Sequence, residues 1–204
     1  MKGKPILKRE PCYLKAIVIV HGKSEKQIVD YIKSNLRLKM KPVGDKNGKN
    51  SIQITSLMNV LNDLRFKSFT AFTKYYENDV EIVLEKKKKR ISSDFKIFTI
   101  MDTDDCTEKE KEEYINKSMF KNHWAYDYIV PIYNSSNLED VLVKAKIPFE
   151  KKGDDRKKEY IKIFPTHKKY TIPEEAELTN FCEKLKSVKG TNMNKFIEFC
   201  LSKA

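Results

Sequence analysis

The chain has 204 residues, 40% of them hydrophobic, which excludes a disordered polypeptide and gives enough apolar material for one domain with a sizeable core. Lys and Arg number 41 against 29 Asp and Glu, and the net charge of +12 makes a polyanion, nucleic acid foremost, the expected partner. No apolar stretch approaches membrane-spanning length, the opening MKGKPILKREP holds no signal-peptide core, and the four cysteines (Cys12, Cys106, Cys182, Cys200) form no CxxC pair. The expectation is a cytoplasmic protein with reduced thiols, no structural zinc and no membrane contact.

In chain order, Ala16 to Val20 (AIVIV) is a β-branched run, as in a strand buried on both faces of a parallel sheet. It ends at His21-Gly22. Ser24 can cap a helix over Glu25 to Leu38, where Ile28, Val29, Ile32 and Leu36 have helical spacing. Pro42 to Asn50 reads as a loop and Ile52 to Ile54 as a short strand. A second helical pattern from Ser56 runs through Leu57, Val60, Leu61 and Leu64. A third segment, roughly Tyr75 to Arg90, ends in the basic run Lys86 to Arg90. Lys96 to Met101 (KIFTIM) is a second strand, entering Asp102-Thr103-Asp104-Asp105, and a charged helix follows over Glu108 to Lys117. Tyr128 to Tyr133 (YIVPIY) is a third strand, which Pro131 assigns to an edge or a bulge. A helix over Leu138 to Ala145, a polar loop over Lys151 to Lys158, and two helices, Pro173 to Ser187 and Asn192 to Lys203, separated by Gly190, complete the chain. Strands alternating with helices predict one α/β domain around a mostly parallel sheet, its core at about 14–145, with extra C-terminal helices over about 170–204.

Ligand sites in such sheets lie beyond the carboxyl ends of the strands. Parallel, adjacent strands would bring together His21-Gly22, Asp102 to Asp105, and the turn Asn134 to Asp140. Asp102 and Asp104, one residue apart after a buried strand, repel each other unless a cation sits between them, and hard carboxylate oxygens suit Mg²⁺ or Mn²⁺. An Asp-rich turn capping the next helix is the competing reading, and it accounts well for Asp105. Glu139 and Asp140 open a helix after the third strand, where acidic residues also favour the helix dipole. Glu139 would be the third carboxylate at a metal. Gly22-Lys23-Ser24 resembles the end of a Walker A loop, but the earlier glycine of that pattern would fall at Ile17. Gly22 at a helix N-terminus still admits a phosphate to backbone N–H groups, with Lys23 adding charge. His21 is a candidate metal ligand or proton carrier. Lys87, Lys88 and Arg90 are candidate contacts to a phosphate backbone, with Lys151-Lys152, Arg156 to Lys158 and His167 to Lys169 as weaker ones. Trp124, Tyr126 and Tyr128 read as packing residues. Cys106 has no histidine near it in sequence and does not read as a nucleophile.

The order IVIVHGKSE, then FTIMDTDD, then NLEDVL resembles the Toprim domain, whose pattern is a strand ending in Glu-Gly, a helix, and a strand ending in Asp-x-Asp. The resemblance extends over Ala16 to Leu142, and NLEDVL is similar to the acidic helix start of the small OLD- and RloB-like bacterial defence nucleases. It implies a Rossmann-like three-layer fold and Mg²⁺- or Mn²⁺-dependent hydrolysis of DNA or RNA. It further implies a setting in bacterial anti-phage defence, with a partner protein from the same operon. Asp102, Asp104 and Glu139 take the ligand positions, with Asp105 and Asp140 secondary. The family's glutamate before Gly22 is His21 here. Either His21 takes over its catalytic role, or Glu25 reaches the site, or catalysis is impaired. The last outcome would leave a Toprim-like module that binds nucleic acid or protein. A further alternative is a DxD phosphatase with Asp102 as nucleophile.

Overall fold

A computed structural model describes residues 12–147, 155–166 and 174–204. β1 (Ala16–Val20) is buried along its whole length, because the sheet is covered on both sides. Alternate side chains serve the two sides: Ala16, Val18 and Val20 enter one core, Ile17 and Ile19 the other. α1 (Lys23–Asn35) buries Ile28, Val29, Tyr31 and Ile32 against the first of these cores. β2 (Met40–Val43) pairs parallel to β1 on one flank, and β5 (Lys96–Asp102) does so on the other. β6 (Ile129–Asn134) pairs parallel to β5, giving the order β2-β1-β5-β6. The fold is therefore α/β, with a parallel four-stranded sheet between two helical layers.

Between β2 and β5 the chain forms α2 (Ile54–Leu61), α3 (Phe69–Tyr75) and an antiparallel hairpin, β3 (Ile82–Glu85) with β4 (Lys88–Ile91). With α4 (Glu108–Ile115), these cover the Ile17/Ile19 side through Leu57, Leu61, Phe72, Ile91 and Tyr114. The other side is covered by α1, α5 (Leu138–Lys144), α6 (Asp155–Ile163), α7 (Glu174–Lys186) and α8 (Met193–Leu201). The helices beyond 170 belong to that core: Phe196 stacks edge-on against Phe98 of β5, centroids 5.0 Å apart.

Pro131 does lie on an edge strand, as its missing N–H requires. The next segment in space seals that edge. Asn192 donates its amide to the Pro131 carbonyl (3.0 Å) and accepts from the Tyr133 N–H (2.8 Å), while Asn134 bridges to Thr191. A side-chain amide thus takes the place of a neighbouring strand.

Several local expectations are corrected. Pro42 to Asn50 is not all loop: Pro42 and Val43 end the edge strand Met40–Val43, whose β pattern Lys41 and Pro42 dilute, and Asp45–Gly48 is a short 3-10 helix. Ile52–Ile54 is no strand, because Ile54 already opens α2. α2 stops at Leu61, leaving Leu64 79% exposed. Roughly Tyr75 to Arg90 is not one segment: α3 ends at Tyr75 and the basic run lies in the hairpin. Lys151–Lys152 and His167–Lys169 lie outside the described residues, and from Asp155 the chain is helix rather than loop. Trp124 packs as expected, against Phe69 and Phe72, with its indole N–H on the Phe66 carbonyl.

Candidate carboxylate site

β1 leads through α1 to β2 on one flank, whereas β5 lies on the other, so the crevice between the carboxyl ends of β1 and β5 is the topological switch point of the sheet. His21, Gly22 and Asp102 stand at that crevice. The three strand ends do converge, because β1, β5 and β6 are adjacent and parallel.

Asp102 is the last residue of β5 and sits opposite Asn134 in register. Both are buried, at 7% and 0% exposure. The Asn134 amide donates to Asp102 Oδ1 (3.1 Å), and the Thr191 hydroxyl donates to Asn134 Oδ1 (2.9 Å). Thr191 thereby fixes which end of the amide faces the aspartate. The backbone at Gly190 turns with φ +94°, bringing its carbonyl to the Ser135 N–H. This relay from the C-terminal segment was not read in the sequence, because Asn134 and Thr191 are 57 positions apart.

Glu25 comes from the first turn of α1. Its carboxylate accepts from the Gly22 N–H (2.8 Å), closing the helix start from within, and only 2% of the residue is exposed. Burial, then the charge of Asp102, raise its pKa from 4.5 to about 8; Glu139 adds to the rise and the Gly22 N–H opposes it. Burial likewise lifts Asp102 from 3.8 to about 6, with Asp104 and Glu139 adding and Asn134 and His21 opposing. Glu25 therefore feels the charges of Asp102 and Glu139, and Asp102 feels that of Glu139. Glu25 thus lies beside Asp102 at the crevice.

His21 is half-buried and doubly bound to Ile52: its carbonyl accepts from the Ile52 N–H (2.8 Å), and its Nδ1 lies 2.9 Å from the Ile52 carbonyl. A carbonyl only accepts, so Nδ1 carries the proton, and Nε2 of the neutral ring presents a lone pair. The loop that places Ile52 folds tightly over α1. Gly48 (φ +80°) approaches the Gly22 carbonyl, and a Cβ on Gly44 would meet the Gly48 nitrogen at 2.9 Å. Lys23 is exposed beside this loop.

The remaining candidates separate. Asp104 is exposed and acts on Asp102 by charge. Asp105 accepts from Gln53 Nε2 (3.0 Å) at the start of α2 and does not cap the helix that follows it; Thr107 does, its hydroxyl accepting from the Glu110 N–H (3.3 Å). Asp140 takes part in the cap of α5, its N–H donating to Asn137 Oδ1 (2.9 Å). Cys106 donates to the Thr103 carbonyl, and burial raises its pKa, the opposite of an activated thiol. Lys87, Lys88 and Arg90 are not brought to this crevice. Their hairpin is rooted at the amino end of β5, where the Tyr128 hydroxyl accepts from the Ile91 N–H (3.1 Å), and the two ends of β5 are about 20 Å apart.

One group escaped the sequence reading altogether. Tyr160 of α6 is 2% exposed, and its hydroxyl lies within reach of the charges of Glu139, Glu25 and Asp102. Burial, then those charges, push its pKa far up, with Ser24 opposing, so it stays a neutral phenol that can donate. Nothing in a Lys-rich helical stretch singles out one tyrosine. Thr103 is also buried, and its hydroxyl has no hydrogen-bond partner among the described residues.

The donor set is hard oxygen with one imidazole, crowded enough to raise its own pKa values, and this chemistry fits a divalent cation. Among the described residues no three His, Cys, Asp or Glu side chains already form a ligand cluster, so a cation would have to draw the carboxylates together. Also among them, no helix is long and apolar enough to cross a membrane. No protein-family model, no curated protein and no solved structure matches the chain.

Proposed function

We propose that this protein is a divalent-metal-dependent phosphodiesterase of Toprim type, acting on DNA or RNA. The observation that supports it is the meeting of Glu25, Asp102 and Glu139 at the switch point, where burial and the charges of Asp102 and Glu139 raise the pKa of Glu25, and burial with the charge of Glu139 raises that of Asp102. Repulsion of that kind is relieved by protonation or by a cation. Asp102, Glu139 and Glu25 would hold Mg²⁺ or Mn²⁺, with Asp104 at the exposed rim. Such an ion supplies Lewis-acid polarisation of a phosphoryl oxygen and stabilises the leaving oxygen.

The chain's own groups have separable tasks in this reading. Asn134 occupies Asp102 Oδ1 and leaves Oδ2 for the ligand. His21, fixed through Nδ1 on the Ile52 carbonyl, accepts a proton at Nε2 from the attacking water. Gly22 and Lys23, at the start of α1, receive the phosphate next to the scissile bond. The neutral Tyr160 hydroxyl donates a hydrogen bond within the site.

The test is cleavage of single- and double-stranded DNA and RNA by purified protein with Mg²⁺ or Mn²⁺. The expected result is metal-dependent cutting of at least one form, lost in Asp102→Asn. No cutting of any form, or cutting unchanged in Asp102→Asn, would overturn the proposal.

A further inference from the structure

The β3–β4 hairpin is unlike the rest of the molecule. Glu85 pairs with Lys88, which leaves Lys86 and Lys87 as a two-residue turn, with φ of +48° and +66°. Positive φ at both central positions defines the type I′ turn, whose favoured sequence is Asn-Gly. Lysine has a Cβ and is strained in this region. A chain selected only to close a hairpin has better residues available, so the lysines are retained at a cost to the fold.

Charge is concentrated in the same place. Residues 82–91 carry five cations and one anion, a third of the net +12 within ten residues. Glu85 is engaged by Arg90 (3.4 Å), and Lys86 to Lys89 make no ion pair among the described residues. All four are exposed, and Leu84, opposite Lys89, is 76% exposed. Among the described residues, the body holds the base of the hairpin through buried Ile91, its bonds to Tyr128, and the Ser92 N–H on the Glu81 carbonyl. A two-stranded ribbon with one covered end fits a nucleic-acid groove, and a row of unpaired lysines matches a phosphate backbone.

We infer that the β3–β4 hairpin is a nucleic-acid-binding arm that grips duplex phosphates through Lys86 to Lys89, at the end of the sheet opposite the carboxylates. It extends the proposed nuclease reading by giving the polynucleotide a second hold, yet the contact needs neither metal nor catalysis.

The experiment is duplex binding by fluorescence anisotropy in EDTA, over about 50–200 mM salt. The full chain is compared with the double variant Lys86→Asn/Lys87→Gly. That variant suits the type I′ turn better, so it folds. The expected result is a log–log salt slope smaller by about 1.8 and binding weaker by about tenfold at the low-salt end, both reproduced in Lys88→Gln/Lys89→Gln. The binding is read in EDTA without any cleavage, so its outcome is independent of the cleavage test, which separates failure of the arm from failure of the catalytic reading. An unchanged slope and affinity in both double variants would overturn the inference. So would hairpin-dependent binding of an acidic protein or of anionic vesicles, with none of duplex.

Discussion

The carboxylate crevice and the basic hairpin are opposite answers to the problem of crowding like charges. At the carboxyl ends of the strands, Glu25 and Asp102 are shielded from water, so repulsion appears as raised pKa values and is contained by fixed donors, Gly22 and Asn134. At the amino end, four consecutive lysines remain in water, where screening makes their repulsion cheap and the strain falls on the backbone instead. The contrast teaches where selection has acted. Buried like charges persist only with a chemical reason, and exposed ones are informative when they occupy positions that their residue type does not favour.

Removing the central carboxylate is the strongest way to break the contrast. Asp102→Asn should lower metal-dependent cleavage by more than about a thousandfold, roughly 4 kcal/mol of barrier, measured under single turnover. His21→Gln should lower cleavage by about 10²–10³-fold with metal affinity largely kept, as a proton acceptor that is not a ligand would.

Next in size is pH. Glu25 and Asp102 are protonated in both the folded and the unfolded chain below about pH 4. Between their ordinary and raised values, up to about pH 8, the unfolded chain has released protons that the folded one still holds. Stability of the metal-free protein therefore falls as pH rises through this window, by roughly 8 kcal/mol at most. Melting temperatures from pH 5 to 8.5 should decline, and Glu25→Gln should flatten the decline. Metal affinity should run the other way, rising across the same window as protons leave the ligands.

The relay sharpens the comparison further. Asn134→Leu should weaken metal binding by about 10–100-fold, and Thr191→Val by less, because it frees the amide to rotate without removing it. Calorimetric titration with Mn²⁺ checks both. The smallest effect is at the hairpin: Lys86→Asn/Lys87→Gly should raise stability by about 1 kcal/mol in urea unfolding and leave metal affinity unchanged.

Much of the fold was legible because its signals are local. AIVIV and KIFTIM announce strands covered on both faces, Pro131 announces an edge, and Asp102 stands where such a strand must end. The sequence missed β2 and the hairpin, where lysine and proline replace β-branched residues, and α6, whose polar composition resembles a loop. Within the site, Asp102 and His21 were legible as strand-end residues, as was Glu139 as a helix opener. Glu25 was legible only as an alternative to His21 at the end of β1, and Tyr160 and Thr191 not at all.

The sequence alone determined that β1 and β5 are covered on both faces and that acidic residues end β5, because burial pattern and turn chemistry act over a few residues. Tertiary structure decided that Glu25 places a buried carboxylate beside Gly22, that Thr191 orients Asn134 toward Asp102, and that the basic run is rooted at the far end of the sheet. Those outcomes depend on desolvation and on distances between residues remote in the chain, and neither quantity exists until the layers have packed.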